Sequence, residues 1–239
     1  MRSFLYLGLL LAVTATTVQG QVQHSAWAAS FNTFKINEQF SLHFDAQVRS
    51  TDERRAVQTV LLRPGINYHL NQNFSVTGGY AYIPNRRFVG GASGLLAEHR
   101  IWTQMLYSHK LNRAAVGHRL RFEQRFIPNA VARSNKVEAD GFRGARRLRY
   151  FVRTILPLTK DRPFNKGFFL ALQNEVFANV GDKSAVNGRF FDQNRLYGAA
   201  GYRLPNKTDV EMGYMNQYVR TRNAHVNNHI IQLAFYRRL

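Results

Sequence analysis

Residues 40–49 read FSLHFDAQVR, and after Phe40 the chemistry changes at every step. Leu42, Phe44, Ala46 and Val48 fall on one side, and His43, Asp45, Gln47 and Arg49 on the other. A period of two with one apolar and one strongly polar face is the signature of a β-strand. The pattern recurs along the chain. Ala56–Leu70 sets Val60, Leu62, Ile66 and Tyr68 against Thr59, Arg63 and Asn67, and Phe74–Pro84 carries Phe74, Val76, Tyr80 and Tyr82. Leu96–Lys110 sets Ile101, Met105 and Tyr107 against Glu98, Arg100, Trp102 and Gln104. Val116–Ile127 opposes Leu120, Phe122 and Phe126 to Arg119, Arg121, Glu123 and Arg125. Arg146–Leu158 opposes Leu148, Tyr150, Val152 and Leu156 to Arg147, Arg149 and Arg153. Phe168–Val180, Gln193–Leu204, Thr208–Arg220 and Asn228–Arg238 continue the series.

These strands from Phe40 to Arg238 number ten; Ala26–Ile36 alternates poorly and would make eleven. No stretch has a convincing helical period. Tight turns rich in Asn, Lys and Pro fall at 37–39, 71–73, 111–115 and 205–207, with an intermediate one at 159–166. Longer polar loops fall between them at 50–55, 85–94, 128–144, 181–191 and 221–227. Short turns alternating with longer loops predict an all-β, antiparallel, up-and-down transmembrane β-barrel of about 10–12 strands. Such barrels have even strand counts and both termini on the periplasmic side, and the ten strands from Phe40 to Arg238 satisfy that rule without Ala26–Ile36. Ala26–Ile36 is then a poorly paired extra strand or a stretch tucked at the rim.

A soluble β-sandwich also alternates, and basic residues separate the two architectures. All seven Lys (35, 110, 136, 160, 166, 183 and 207) lie in turns, loops or strand ends, whereas Arg occupies mid-strand polar positions. An enclosed lumen favours that choice, because guanidinium brings planar, multi-donor geometry to carboxylate pairing. Residues 1–20, MRSFLYLGLLLAVTATTVQG, form a secretory signal peptide: a basic start, a short apolar core and small residues before Gln21. Residues 21–239 are then a single barrel domain, exported to the bacterial outer membrane. Beyond residue 20 no apolar run approaches the roughly 20 residues of a spanning helix. Cysteine is absent, which removes disulfides, thiolate metal sites and a cysteine nucleophile.

Several words of the sequence resemble a known family. They are Leu62-Arg63-Pro64-Gly65, Glu98-His99-Arg100-Ile101-Trp102, Arg121-Phe122-Glu123-Gln124-Arg125-Phe126 and Asp192-Gln193-Asn194-Arg195-Leu196-Tyr197. Gly201-Tyr202-Arg203-Leu204 and Gly213-Tyr214-Met215-Asn216-Gln217 complete the series. In order and spacing this resembles the bacterial family catalogued as domain of unknown function 2490. The resemblance covers nearly all of the mature chain. It implies an outer-membrane β-barrel of Gram-negative bacteria with no assigned biochemical role.

Strand parity assigns eleven arginines to the lumen: Arg49, Arg63, Arg100, Arg119, Arg121, Arg125, Arg147, Arg149, Arg153, Arg195 and Arg203. Five acids go with them: Asp45, Glu98, Glu123, Glu175 and Glu211. Enclosed charges are costly unless paired and hydrogen-bonded. We therefore expect a lumen charge network of Glu98, Arg100, Arg121, Glu123, Arg125, Arg149, Glu175 and Arg195. It either fills a small structural barrel or forms a narrow, porin-like, anion-preferring eyelet. The net charge of +19 could also indicate nucleic-acid binding, but export, the mid-strand placement of Arg and the lack of a polybasic tail argue against it. Membrane lipids are the expected partners, with headgroup phosphates facing Arg54, Arg55, Arg86, Arg87, Arg133 and Arg143 in the loops.

The alternative function is an outer-membrane lipid acyl hydrolase, which requires a serine activated by an oriented histidine. Ser108 and His109 are adjacent, yet neighbouring strand residues face opposite sides and cannot form a dyad. No catalytic residue is assigned. No metal-ligand spacing and no phosphate-binding loop is present, so neither a metal nor a cofactor is expected.

Overall fold

A computed structural model describes residues 20–159, 161 and 163–239. Nearly all of the proposed signal peptide lies outside these residues. The strands are β1 (Gly20–Lys35), β2 (Phe40–Ser50), β3 (Val57–His69), β4 (Phe74–Val89), β5 (Ala92–Leu111) and β6 (Ala114–Arg133). They continue with β7 (Lys136–Pro157), β8 (Gly167–Val180), β9 (Phe191–Arg203), β10 (Thr208–Arg220) and β11 (His225–Arg238). Each pairs with its chain neighbour antiparallel, and β1 pairs with β11 to close a single sheet into a barrel. That closure removes the sandwich alternative.

Two expectations need correction. First, β1 is a full strand, so the described residues contain eleven strands, an odd number. Closure therefore requires β1 and β11 to run parallel, in register from Gly20 opposite His225 to Thr33 opposite Arg238. The two ends of the described chain consequently lie at opposite ends of the barrel, not both at the turn end. β1 escapes a period-two reading because Trp27 and Ala29 are buried while small Ala26 and Ala28 face outward, so its faces differ little in polarity.

Second, 85–94 and 128–144 are not loops. β4 and β5 pair out to Val89 opposite Ala92, and β6 and β7 out to Arg133 opposite Lys136. Two-residue turns close both hairpins, with left-handed backbone at Gly90 and Gly91 and at Ser134 and Asn135, as twisted hairpins require. Alternation fades toward the tips of these hairpin arms, where Phe88, Gly90, Gly91 and Ser93 are exposed.

The turns at the opposite end are built locally. The Asn37 side-chain oxygen accepts from the backbone N–H groups of Gln39 and Phe40, and that of Asn71 does the same for Asn73 and Phe74. Such Asx turns explain the Asn-rich short connections. In the loop between β8 and β9, the Asp182 carboxylate accepts from the backbone and hydroxyl of Ser184, which hold it below the usual Asp range.

The barrel is inside-out relative to a soluble domain. Glu98, Glu123, Arg121 and Glu211 are no more than 1% exposed, whereas Ile66, Ile101, Leu172 and Met212 are more than half exposed. The side-chain parities read from the sequence hold at every strand named there: the Leu/Phe/Tyr positions face outward and the Arg/Glu positions inward.

Candidate functional site

The inner faces of β5 to β8 bring one carboxylate each from β5, β6 and β8 between arginines of β5, β6 and β7. Glu123 on β6 is the centre. Its Oε2 accepts from Arg147 Nη2 at 2.7 Å and from Arg100 Nη1 at 3.4 Å, and its Oε1 accepts from Arg149 Nη1 at 2.6 Å. Glu98 on β5 accepts from Arg100 Nε and Arg125 Nε, each at 2.7 Å. Glu175 on β8 accepts from Arg149 Nη2 and Arg119 Nη2, again at 2.7 Å. Arg147 reaches on to Asp192 at 3.0 Å. The result is one continuous chain of ion pairs across five neighbouring strands, β5 to β9.

Of the eight residues expected in the network, Glu98, Arg100, Glu123, Arg125, Arg149 and Glu175 are joined in this chain. Arg121 and Arg195 are inside the barrel but outside the ion pairs. Arg121 donates Nε and Nη2 to Gln104 Oε1 and lies 4.7 Å from the Trp102 ring. Arg195 donates to Gln193 Oε1 at 3.3 Å and leans on Trp27 and Phe177 at 5.1 and 4.8 Å. Both have neutral amides and aromatic faces where an acid was expected.

Sequence reading missed Asp192, because it is the second residue of β9, at the edge of a polar loop, and parity has no run to count from there. It also missed Asp209 at the turn end. That carboxylate takes both oxygens' worth of Arg203, at 2.7 and 2.9 Å, and Arg238 at 2.8 Å. Nearby, Arg153 pairs with Glu211. Across the barrel, Arg63 Nη1 donates to Asp45 at 2.9 Å.

Two of the interior cavities meet at mid-height of the barrel. One, of about 240 Å³, lies toward the turn end beside Asp45, Glu175 and Asp209. The other, of about 270 Å³, lies toward the loop end beside Gln58, Asn85, Arg87 and Val219. Four residues line both, and all four are arginines: Arg49, Arg63, Arg149 and Arg195. Arg63 and Arg149 have carboxylate partners, whereas among the described residues Arg49 bonds only Gln47 Oε1, at 2.7 Å, and stacks on Trp27 at 4.0 Å. Arg49 was assigned to the lumen by parity but not to the network; nothing in sequence order shows that it meets Arg195 at this waist.

Among the described residues, no serine hydroxyl bonds His109, which instead faces His118 with Nε2 atoms 3.3 Å apart. One serine–histidine contact is present, Ser41 Oγ to His69 Nε2 at 2.8 Å. Ser41 is only 2% exposed and already accepts from Asn67 Nδ2, and no acid or amide hydrogen-bonds the other nitrogen of His69 among the described residues. This pair ties β2 to β3 and lacks the access and the orienting group that nucleophilic catalysis requires.

Closed single sheet, apolar outer wall and ion-paired interior together define a class: a charge-filled β-barrel with the chemistry of a membrane-embedded wall. No helix of the described residues is long and apolar enough to cross a membrane. The chain belongs to the protein family of unknown function DUF2490, whose model matches residues 24–228. It is 27% identical over 181 residues to an uncharacterized protein of Methylorubrum extorquens, an alignment covering 74% of this chain and 71% of that protein. Among solved structures it is similar to the NanC porin in a rhombohedral crystal form, with a TM-score of 0.49 and 10% identity over 84% of this chain and 89% of that one. The family words acquire a common location: Arg63, Glu98, Arg100, Trp102, Arg121, Glu123, Arg195 and Tyr197 all project into the lumen.

Proposed function

We propose that this protein is a non-enzymatic barrel of the bacterial outer membrane whose lumen is a narrow, anion-preferring passage. Export by residues 1–20 is part of the proposal. The outer-membrane reading is supported by the inverted burial: large apolar residues cover the outside while carboxylates and guanidinium groups are sealed within. Gly78, Ile101 and Leu172 would face lipid, and Tyr107, Tyr150, Tyr214 and the histidines beside them would sit near its edges.

The observation that carries the anion preference is the four-arginine waist between the two cavities. Two of its members, Arg49 and Arg195, touch no carboxylate among the described residues. Any solute crossing between the cavities meets positive charge with low-dielectric walls, which attracts anions and repels cations. At the loop end, Arg133 is held by Asp140 and Arg55 by Glu53, and Arg87 lines the inner cavity. Arg54, Arg86 and Arg143 are then the residues we propose to meet lipid headgroup phosphates.

Planar-bilayer recording of the refolded protein under a salt gradient tests the reading. The expected result is small, discrete conductance with a reversal potential on the anion side, abolished or inverted by Arg49→Glu with Arg195→Glu. A cation-side potential in the unmodified protein would overturn it. Absence of current together with acyl release from phospholipid vesicles would shift the assignment to a hydrolase, and Ser41→Ala would then have to stop that release.

A further inference from the structure

We infer that the loop-end cavity is a binding site for a small, doubly charged oxyanion, a phosphate or a dicarboxylate, held by Arg49, Arg87 and Arg195. Eight arginines and a single acid, Glu98, line this space of about 270 Å³. Glu98 is already committed to Arg100 and Arg125. Arg63, Arg147 and Arg149 are neutralised by Asp45, Glu123, Asp192 and Glu175. Arg49, Arg87 and Arg195 remain, and none has an acidic side chain within ion-pair reach among the described residues.

Three details make them a prepared site and not merely surplus charge. The Nε atom of each is shielded from solvent and makes no hydrogen bond within the chain. Arg49 and Arg195 rest on the same indole, Trp27, so their guanidinium planes are held while most of their N–H groups stay free. The two arginines come from β2 and β9, strands separated by three others in the sheet order, so they are held together by the closed wall and not by a flexible loop.

Guanidinium forks match the paired oxygens of carboxylate and phosphate, and charge-assisted bonds of this kind are the stronger ones. Enclosed like charges repel each other, and a dianion between them converts that repulsion into attraction. The cavity lies just below the ~300–1,000 Å³ of sites for drug-sized ligands, and it shares Arg49, Gln58, Thr59 and Gln217 with a neighbouring space of about 290 Å³. Gln58, Asn85 and Gln193 add neutral polar groups able to read a ligand's remaining oxygens. Binding here requires an enclosed lumen but not conduction, so it stands or falls separately from the pore.

The test is a titration of the refolded protein in detergent with inorganic phosphate and, separately, succinate, chloride being used to hold ionic strength constant. Trp27 reports directly, because the chain has only one other tryptophan and Trp102→Phe isolates the signal. We expect a saturable change in emission with phosphate, succinate or both, and the probe that saturates at lower concentration names the preferred class. Arg49→Gln and Arg195→Gln should each weaken it about tenfold or more, as loss of a charge-assisted contact does. Lys207→Gln, exposed in the turn at the opposite end of the barrel, should leave it unchanged. Equilibrium dialysis with radiolabelled phosphate gives the same comparison independently of the tryptophans. Both glutamine variants should melt at least as high as the unmodified protein without added probe, since each removes an unpaired charge. A signal that does not saturate, that chloride reproduces, or that survives both substitutions would overturn the site. So would a lowered melting temperature in both variants, which would make these arginines structural.

Discussion

A Glu123→Ala variant is expected to lose about 3–5 kcal/mol of stability, the range for removing one partner of a buried ion pair. Glu123 is 1% exposed and receives Arg100, Arg147 and Arg149. Arg100 keeps Glu98, Arg147 keeps Asp192 and Arg149 keeps Glu175, so no guanidinium is wholly abandoned. Three of them nevertheless crowd a cavity from which the central negative charge has gone. Glu123→Gln should cost less, because the amide oxygen still accepts while the charge is lost. The measurement is the temperature at which the compact, fast-migrating form disappears on unheated-to-heated gels, followed by denaturant unfolding in detergent. A double-mutant cycle of Glu123→Ala with Arg147→Gln should show coupling on the order of 1 kcal/mol or more, as members of one network do. Equal stability of Glu123→Ala and the unmodified protein would sink the idea that this residue is the centre of the network.

The second large effect is steric. Gly79→Val on β4 is expected to cost at least the ~1–3 kcal/mol of ordinary overpacking and to reduce the yield of folded barrel. Trp102 lies across the inner faces of Gly79 and Gly65 on neighbouring strands. A Cβ at Gly79 would stand 2.6 Å from Trp102 Cζ2 and closer still to the Pro64 carbonyl oxygen. The oxygen belongs to the paired backbone of β3 and cannot swing aside as a side chain can. Trp102→Leu should therefore rescue Gly79→Val only in part. Gly78 supplies the control: a Cβ there meets nothing within 4 Å, so Gly78→Val should assemble normally. If both valine variants fold equally well, the indole does not occupy the space assigned to it. The pair of glycines also gives a physical meaning to two of the family words. Gly65 in Leu62–Gly65 makes room for Trp102 at the end of Glu98–Trp102.

The waist and the Glu123 network divide the lumen between two roles. Paired arginines hold strands β5 to β8 together, while Arg49 and Arg195 add guanidinium groups with no ion pair among the described residues to the lining of the cavities. The same residue type serves both because the difference lies in which carboxylates the guanidinium reaches: Arg195 stands opposite Glu175 in register, yet Glu175 bonds Arg149 and Arg119. This is why Glu123→Ala and Arg49→Gln are expected to move stability in opposite directions.

Which side of each strand faces inward was legible from the chain alone. In β2, β5, β6 and β7 the two faces differ so sharply in polarity that counting by two separates Arg125 from Phe126 without further information. Turn positions were legible for the same local reason, since Asn37 and Asn71 bond their own following backbone. Interior assignment of Arg49, Arg121 and Arg195 followed from parity, and so did that of Glu98, Glu123 and Glu175.

Partnership did not follow. Asp192 and Asp209 are the second residues of their strands, so no preceding alternation marks their faces. Arg121 and Arg195 have the same sequence environment as Arg125 and Arg149, yet they end against Gln104 and Gln193. The hairpin arms at 85–94 and 128–144 were hidden because backbone pairing needs no polarity contrast between the two faces of the strand. β1 was ambiguous because Trp27 and Ala29 point inward while Ala26 and Ala28 point out. Residue order thus determined the strands, their inward faces and the surplus of positive charge inside, all of which are set by neighbours two to four positions away. The odd strand count, the parallel seam between β1 and β11 and the meeting of Arg49 with Arg195 on Trp27 were decided only by closure of the barrel. Closure fixes which strands lie beside and across from one another, and a period-two pattern has no memory of that distance.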